Sequence, residues 1–331
     1  MVLGAGVGTR LEPITNFIPK PLVPIANRPV IDHIITLLRS HGFNQLICNV
    51  HYLADQMKQH LSARQDVDIK VHYEEQLSGD AGGVRACREF LQDETFVVIM
   101  GDLLTDADLS KVLAEHKRKK AVASIAIKGV HDVSRFGVVV TDANGFIVDF
   151  QEKPSRHEAR SDDISTGIYI LEPEVFKHMP SSGVYGFGRQ LFPLLVRRGY
   201  PVAGIELSGF WTDIGTLSDY LRANCDAASG AVHIPIDGEK TEIGWVAPGA
   251  HVADSCKVEG QVILAANCIV GRSVRLIGNV IIGAGAVIGE NSVLEDCVVF
   301  PNAQIAAHSR LTSSVVAYER VISCGTAATS A

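Results

Sequence analysis

A glycine-rich segment near the start of the chain has the composition of a phosphate-binding loop. It reads Gly4-Ala5-Gly6-Val7-Gly8-Thr9-Arg10 and follows a short apolar pair. Glycines at alternate positions let backbone N–H groups approach phosphate oxygens without interference from a Cβ atom, and the forked Arg10 guanidinium suits phosphate. Thr9 stands where GxGxxG would need glycine, and no GK[ST] follows. The segment therefore predicts an anion site that is neither a dinucleotide fingerprint nor a P-loop.

A lysine between two prolines follows ten residues after Arg10. Pro19 and Pro21 restrict the backbone on both sides of Lys20, while the lysine side chain keeps its reach. A lone lysine is usually a solvated surface charge. A lysine fixed in this way just downstream of an anion loop favours a contact with phosphate.

A carboxylate follows one of the apolar runs. Residues 97–100 are Val-Val-Ile-Met, and Gly101 and Asp102 come directly after them. Ligands of open α/β sheets bind at the carboxyl ends of the strands, so Asp102 is a candidate site residue. A turn or capping aspartate is the ordinary alternative for such a Gly-Asp pair.

Alternating strand and helix patterns position these residues. Strands alternating with helices predict an α/β domain with a mostly parallel sheet and helices on both faces. Helical spacing and end signals predict helices over 28–41, 53–61, 81–91 and 216–227, the last closing the domain. Apolar runs predict strands over 45–50, 69–73, 96–100, 122–127, 137–140, 146–150 and 167–171.

The C-terminal third has a period of six residues. Ten consecutive positions at this stride are apolar: Val246, Val252, Val258, Leu264, Val270, Leu276, Ile282, Ile288, Leu294 and Phe300. Hexapeptide repeats of this kind form parallel β-helices, with three hexads per coil. A β-sandwich would also place apolar residues here, but it does not require a stride of six.

The change of period sets the predicted domain boundaries. Residues 1–228 form the α/β domain, 229–243 a linker, 244–322 the β-helix and 323–331 a flexible tail. The first strand is expected to be short, since Val2 and Leu3 directly precede the glycine loop.

Composition narrows the class of protein further. The 331 residues carry a formal net charge of -7, which argues against a general nucleic-acid surface. The chain contains no apolar run of transmembrane length and no signal-peptide pattern. Seven scattered cysteines fit reduced thiols in a cytoplasmic protein, and the twelve histidines show no zinc-binding spacing.

The combined string GxGTRLxPxT followed by PKPLxP resembles the signature of the sugar-1-phosphate nucleotidyltransferases. The resemblance covers the whole chain, because many members carry a left-handed β-helix after a Rossmann-like catalytic domain. The layout is most similar to bacterial mannose-1-phosphate guanylyltransferase-like proteins, and glucose-1-phosphate enzymes are built in a similar way.

The resemblance implies roles for particular residues. Arg10 and Lys20 are implied to be catalytic, and Asp102 with Asp213 of the Trp-x-Asp-Ile-Gly string to bind Mg²⁺. The nucleotide is implied to contact Leu3, Gly4, Gly6, Gly8, Thr9, Glu75 and Gly82. The sugar phosphate is implied to contact Gly137, Glu152, Lys153 and Thr166.

The implied reaction needs no protein nucleophile. A phosphate oxygen of the sugar 1-phosphate attacks the α-phosphorus of the nucleoside triphosphate, and pyrophosphate leaves in line, so positioning and charge neutralisation do the work. Overall layout favours GTP with mannose 1-phosphate. A glucose-1-phosphate thymidylyl- or uridylyltransferase is the alternative.

Two other classes of protein compete with this interpretation. A regulatory or scaffolding paralogue would lack charged site residues, which are present here. An acyltransferase with a hexapeptide helix would need a longer repeat and an inserted loop, and a β-helix that mediates contacts in a homo-oligomer is the simpler expectation. Ser165 stands where many relatives have Asn, so the chain departs from the family pattern at one implied sugar contact.

Overall fold

The computed structural model describes residues 1–324, so residues 325–331 of the predicted tail lie outside the described residues. The described chain divides into two compact units. The first contains residues 1–7, 35–103 and 107–211, and the second contains residues 8–34, 104–106 and the chain from Thr212 onward. None of the helices in residues 1–324 is long and apolar enough to span a membrane.

Seven α-helices and twenty-four strands are present in the described chain. The helices are α1 (Val30–Ser40), α2 (Ala54–Ser62), α3 (Asp80–Ala86), α4 (Arg88–Leu91), α5 (Leu109–Lys119), α6 (Phe192–Arg197) and α7 (Leu217–Ser229). The strands are β1 (Val2–Leu3), β2 (Pro24–Ile25), β3 (Arg28–Pro29), β4 (Gln45–Val50), β5 (Asp68–Tyr73), β6 (Phe96–Met100), β7 (Leu103–Thr105), β8 (Ala123–Gly129), β9 (Gly137–Thr141), β10 (Ile147–Glu152), β11 (Asp163–Leu171), β12 (Val202–Glu206), β13 (Trp211–Asp213), β14 (Glu239–Thr241), β15 (Gly244–Val246), β16 (His251–Val252), β17 (Lys257–Leu264), β18 (Ile269–Val270), β19 (Arg275–Ile282), β20 (Val287–Ile288), β21 (Val293–Val299), β22 (Gln304–Ile305), β23 (Arg310–Ala317) and β24 (Arg320–Ser323). Short 3₁₀ helices cover Thr9–Leu11, Ile14–Asn16, Lys20–Leu22 and Pro173–His178, and a π-helical turn covers Phe187–Leu191.

The first unit is built on one nine-stranded sheet. Its main path runs β10-β9-β11-β6-β1-β4-β5, and β8 and β12 extend it from β11. The short β1 lies in the middle and pairs in parallel with β4 and with β6, while β5 continues the parallel set. Because parallel strands end at one edge of a sheet, the segments after β1, β4, β5 and β6 meet there.

The other half of this sheet corrects the prediction of a mostly parallel arrangement. β11 runs antiparallel to β6, β8 and β9, and β9 and β10 form an antiparallel hairpin. The sheet is therefore mixed. An apolar run fixes that a segment is a strand but carries no information about the direction of its neighbour, so the sequence did not reveal this change.

The predicted helices are confirmed with shifted ends. The first begins at Val30, because Arg28 and Pro29 pair with β2 in a two-stranded hairpin. The helix predicted over 81–91 is interrupted at Cys87, which separates α3 from α4. The predicted strands are also present, and the sequence missed α5, α6 and β12 altogether.

The second unit contains two ladders of parallel strands. β17 pairs with β19 so that Val258 lies opposite Leu276, and β18 pairs with β20 so that Val270 lies opposite Ile288. Partners are thus eighteen residues apart in sequence, as three hexads per coil require. Inward residues of these strands, such as Leu276 and Ile288, are fully buried. This arrangement is compatible with the predicted β-helix.

The later repeats depart from the strict period of eighteen residues. Ile277 pairs with Glu295, but Val280 pairs with Cys297, so the partner strand is one residue shorter beyond this point. Val299 consequently lies opposite Ile282, in the position that the stride of six assigned to Phe300. The prediction for Phe300 is therefore wrong by one residue. The apolar pattern does not reveal that this repeat is one residue shorter, because Val299 and Phe300 are both apolar.

Helix α7 packs against these parallel strands and against β2, although it was predicted to close the N-terminal domain. Its N-cap is Thr216, whose side chain accepts from the Asp219 N–H. Two buried polar side chains of α7 hold the β2 turn. The Tyr220 hydroxyl donates to the Pro24 carbonyl over 2.8 Å, and Asn224 Oδ1 accepts from the Ala26 N–H over 3.0 Å.

Candidate active site

The start of the glycine loop is fixed within the sheet of the first unit. Leu3 is the last residue of β1, and its carbonyl accepts from the Gly101 N–H over 2.8 Å. The Gly4 N–H donates to Asn49 Oδ1 over 3.0 Å, and a Cβ at Gly4 would lie 2.9 Å from Cys48 Sγ. Gly4 is therefore required for close packing. Gly6 is exposed, and a Cβ there would meet nothing within 4 Å.

The end of the loop and Lys20 lie together in the second unit. Gly8 has φ +75° and caps the 3₁₀ helix that carries Thr9 and Arg10. A Cβ at Gly8 would lie 3.1 Å from Lys20 Cβ, and the Gly8 carbonyl accepts from the Thr15 hydroxyl over 2.9 Å. Lys20 is largely buried and begins its own 3₁₀ turn after Pro19. The two cationic residues of the prediction thus extend from neighbouring turns.

The segment between β5 and α3 contains a buried carboxylate that the sequence did not identify. Glu75, the predicted nucleotide contact, is exposed, whereas Glu74 is 5% exposed. Glu74 Oε1 accepts from Asn49 Nδ2 over 2.6 Å, and Oε2 accepts from the Ser78 N–H over 3.1 Å and from its hydroxyl over 2.5 Å. Gly82 is buried, and its N–H donates to the Tyr185 carbonyl. A polar residue within the apolar run of β4 was the available signal for Asn49.

Asp102 lies beside the start of the loop. Gly101 separates it from the end of β6, and a Cβ at Gly101 would lie 2.7 Å from the Leu3 carbonyl oxygen. Asp213 is the last residue of β13 and belongs to the second unit. Among residues 1–324, no cluster of three or more His, Cys, Asp or Glu side chains forms a ready-made metal site. A pair of aspartates for one ion stays a prediction.

Three of the four predicted sugar-phosphate contacts, Gly137, Glu152 and Lys153, lie at one end of the β9–β10 hairpin. Gly137 pairs with Glu152 across the two strands, and a Cβ at Gly137 would lie 2.5 Å from the Phe150 ring. Lys153 follows with φ +48°, and its N–H donates to the Phe136 carbonyl over 3.0 Å. Glu152 and Lys153 are both exposed at this end of the hairpin.

The turn after Gly186 lies against Glu152. A Cβ at Gly188 would overlap Glu152 Oε2, and Arg189 Nε lies 3.9 Å from Glu152 Oε1. This turn is the π-helical one, a geometry that is common at functional sites. No local sequence pattern marks a π-helical turn, so this turn was not predicted.

Thr166 is buried and makes its hydrogen bonds within the protein. It is 1% exposed, its hydroxyl donates to the Ala126 carbonyl over 2.7 Å, and its own carbonyl accepts from Trp211 Nε1 over 2.8 Å. Its contact with sugar stays a prediction. The neighbouring Ser165 hydroxyl lies 3.3 Å from the Tyr169 hydroxyl, and burial raises the pKa of Tyr169.

Asp80, the first residue of α3, provides a second carboxylate in this region. Its Oδ1 accepts from the Ala81 and Phe187 N–H groups, each over 2.7 Å, which ties the start of α3 to the π-helical turn. Burial raises the pKa of Asp80, while these N–H groups and the charge of Lys153 act in the opposite direction. Asp80 therefore lies in the electrostatic neighbourhood of the sugar-phosphate segment.

Comparison with known proteins identifies the family. Residues 1–230 match the model of the nucleotidyl transferase family. The chain belongs to this family, and its relatives are sugar-1-phosphate nucleotidyltransferases.

Individual relatives extend over both parts of the chain. A UTP–glucose-1-phosphate uridylyltransferase from Synechocystis sp. is 38% identical over 96% of this chain and 86% of its own. A mannose-1-phosphate guanylyltransferase from Mycobacterium tuberculosis is 29% identical over 93% of this chain and 81% of its own. A solved structure assigned as a glucose-1-phosphate thymidylyltransferase from Bacillus anthracis covers 68% of this chain and 93% of its own, with a TM-score of 0.60 and 28% identity.

Proposed function

We propose that this chain joins a nucleoside triphosphate to a sugar 1-phosphate and releases pyrophosphate. A bond forms between a phosphate oxygen of the sugar phosphate and the α-phosphorus. The bond from the α-phosphorus to the bridging oxygen breaks, and pyrophosphate leaves with the electron pair. The observation that carries the proposal is the glycine loop with Lys20 packed against Gly8 and Arg10 on the adjoining turn.

The proposed roles follow from the charge and position of each residue. Arg10 and Lys20 offset charge on the nucleotide phosphates and on the departing pyrophosphate. The loop from Leu3 to Thr9 and the segment with Glu75 and Gly82 contact the nucleotide. Lys153 holds the attacking phosphate, while Gly137, Glu152 and Thr166 contact the sugar. Catalysis then consists of orientation and charge stabilisation.

Mg²⁺ fits the oxygen donors that this proposal assigns to it. Asp102 and Asp213 are partly exposed carboxylates, and octahedral Mg²⁺ takes one or two such ligands together with phosphate and water oxygens. When bound, the ion polarises the α-phosphate. We expect EDTA and Asp102→Ala each to abolish turnover. Near-normal pyrophosphate release by Asp102→Ala would refute this ligand.

UTP and glucose 1-phosphate are the substrates that we place first. The support is the higher identity to the uridylyltransferase from Synechocystis sp., 38%, than to the guanylyltransferase from M. tuberculosis, 29%. GTP with mannose 1-phosphate, which overall layout favoured, is the second candidate because several relatives carry that name.

A substrate matrix tests this choice. Pyrophosphate release is measured with UTP, GTP, dTTP and ATP against glucose, mannose and N-acetylglucosamine 1-phosphates. We expect the highest kcat/KM for UTP with glucose 1-phosphate. A maximum for GTP with mannose 1-phosphate would reverse the order, and no release with any pair would favour a regulatory paralogue.

Lys20→Ala tests the site itself. Loss of one charge contact with phosphate is expected to lower turnover by about 10²-fold, with circular dichroism unchanged. The matched control is Lys117→Ala, an exposed lysine on α5, which should keep full turnover. Full activity of Lys20→Ala would overturn the proposed site.

Three further features belong to the same proposal. The parallel strands of the second unit form a left-handed β-helix, the protein acts in the cytoplasm, and the β-helix mediates a homo-oligomer. The period of eighteen residues supports the first, and the seven unpaired cysteines are consistent with the second. Mass measurement by light scattering tests the third, and a monomer would contradict it.

A further inference from the structure

A buried chain of hydrogen bonds connects the two segments that the proposed function assigns to the nucleotide. It runs from the Gly4 N–H to Asn49 Oδ1, from Asn49 Nδ2 to Glu74 Oε1, and from the Ser78 N–H and hydroxyl to Glu74 Oε2. Asn49 is 2% exposed and Glu74 is 5% exposed. One end of the chain is the start of the glycine loop, and the other is the turn that leads into α3.

Helix α3 packs directly on this chain. A Cβ at Gly83 would lie 2.6 Å from Asn49 Nδ2 and 3.0 Å from Glu74 Oε1, and a Cβ at Gly82 would lie 2.9 Å from the Ser78 hydroxyl oxygen. The close approach holds the backbone of α3 in position relative to Asn49 and Glu74. The Glu74 backbone is fixed as well, since its N–H donates to the Val50 carbonyl and its carbonyl oxygen lies 2.8 Å from His51 Nδ1.

The chain explains how the Gly4 amide is used. Its N–H donates to Asn49 Oδ1, so this group orients the start of the loop. Burying a carboxylate such as Glu74 is costly unless its oxygens are paired with donors, and here three donors reach it. Both Glu74 side-chain oxygens accept hydrogen bonds. A carboxamide at position 74 could not replace them, because one of its two polar atoms is a donor nitrogen.

We propose that Asn49 and Glu74 are positioning residues that fix the glycine loop and the Ser78–Gly82 segment at one spacing, so that the two segments receive the two ends of one nucleoside triphosphate. The inference rests on the proposed assignment of those segments to the nucleotide. Neither side chain contacts substrate. Their effect is expected on nucleotide binding and not on the sugar phosphate, whose predicted contacts lie on β9 and β11 and at the end of β10.

Exchanging the two side-chain types gives a sharp test. In Glu74→Gln the new NH2 group faces another donor in either orientation of the amide, namely Asn49 Nδ2 or the Ser78 N–H. One hydrogen bond is therefore lost in both orientations. In Asn49→Asp two carboxylate oxygens meet. The double variant Asn49→Asp/Glu74→Gln restores the pairing in the reverse sense. Its new aspartate accepts from the Gly4 N–H and from the new amide, whose oxygen accepts from Ser78.

Each single variant is expected to raise KM for the nucleotide about tenfold, the factor for one buried hydrogen bond. KM for the sugar 1-phosphate should stay within about twofold, and the double variant should recover most of the nucleotide KM. The matched control is Glu172→Gln, which makes the same chemical change where Glu172 Oε1 accepts from the Thr95 hydroxyl, next to the amino end of β6. It should lower the melting temperature and leave both KM values unchanged.

Melting temperatures separate this effect from a loss of structure. All assays are run about 15 °C below the lowest midpoint, a margin larger than the shift that one lost hydrogen bond produces. Three outcomes would each overturn the inference. The two KM values could rise equally, the nucleotide KM could stay unchanged in the single variants, or the double variant could be as impaired as the single variants. If instead the proposed assignment of these segments to the nucleotide is wrong, Lys20→Ala is expected to keep full turnover. The two failures can therefore be distinguished.

Discussion

At the scale of single residues, two glycines of the loop have different reasons to be glycine. Gly8 has φ +75°, and a Cβ there would press on Lys20 and Thr15. Gly6 has open space around it. Gly8 is therefore required by the fold, whereas Gly6 is not required by any contact within the protein and leaves space for a ligand.

Alanine at these two positions should separate stability from binding. Gly8→Ala is expected to lower the free energy of unfolding by about 1–3 kcal/mol, because it combines a strained φ with crowding. Gly6→Ala is expected to keep the melting temperature and to raise KM for the nucleotide, since its new methyl group faces the phosphates. Chemical denaturation and steady-state kinetics of the two variants check this. A normal nucleotide KM for Gly6→Ala would contradict the phosphate-loop assignment.

His33 gives the second unit a pH-dependent stability. It is 4% exposed, its Nε2 lies 2.9 Å from the Ile25 carbonyl oxygen, and its Nδ1 has no hydrogen-bond partner among the described residues. Burial lowers the pKa of His33 below its usual value of 6.5. The folded state therefore holds this imidazole neutral over a range in which the unfolded chain binds a proton.

The sign of the effect follows from linkage. Below about pH 6.5 the unfolded state takes up the proton first, so stability is complete above that pH and falls as the pH is lowered towards the folded pKa. The expected slope in this window is at most about 1.4 kcal/mol per pH unit for one proton. Urea unfolding at several pH values between about 7.5 and about 5, compared with His33→Gln, measures it. Equal slopes for the two proteins would disprove the assignment.

At the scale of elements, the parallel strands of the second unit place neighbouring residues in opposite environments. Ile288 of β20 is fully buried, whereas Ile269 of β18 is 45% exposed. Both belong to the same four-stranded ladder. Side chains alternate between the two faces of a strand, and Ile288 lies on the enclosed face of its strand.

Truncating these two isoleucines should have very different costs. Ile288→Ala is expected to destabilise the protein by about 2–5 kcal/mol, since it leaves a cavity in a stacked core. Ile269→Ala is expected to change stability by less than about 0.5 kcal/mol, as for other surface substitutions. Denaturant unfolding of both variants makes the comparison. Similar losses would mean that the ladder does not enclose a core on the predicted face.

At the scale of the whole molecule, the boundary of the family match does not coincide with a boundary between compact units. The match ends at residue 230, but residues 8–34 belong to the unit that contains the C-terminal strands. Helix α7 packs on those strands, and Tyr220 and Asn224 bond to the β2 turn. Arg10 and Lys20 are therefore carried by a unit that extends to the C-terminal region.

A chain that ends at residue 230 is expected to be insoluble or inactive. It would expose the face of α7 that packs on β17, β19 and β21, and an apolar face of that kind promotes aggregation. Expression of residues 1–230 beside the full chain, followed by gel filtration and pyrophosphate-release assay, checks this. A soluble 1–230 chain with normal turnover would show that the proposed catalytic residues are held without the C-terminal strands.

The sequence by itself determined the predicted strands, most helices, the period of the repeat and the charged residues of the predicted site. These depend on local properties: apolar periodicity, proline restriction and the spacing of charged groups in one string. The order Gly4 to Arg10 and Pro19-Lys20-Pro21 was enough to indicate phosphate chemistry, because each string is short and its geometry is largely fixed by the residue types themselves.

Only the tertiary structure decided the direction of β11, the shortened later repeats and the hydrogen-bond partners of Asn49, Glu74 and Asp80. Strand direction depends on which neighbour a strand meets, and a one-residue deletion is invisible when Val299 and Phe300 are both apolar. Asn49 and Glu74 lie twenty-five residues apart in sequence, and nothing local distinguishes Glu74 from the exposed Glu75. The two glutamates differ in burial, and burial depends on how the sheet and the helix pack around them.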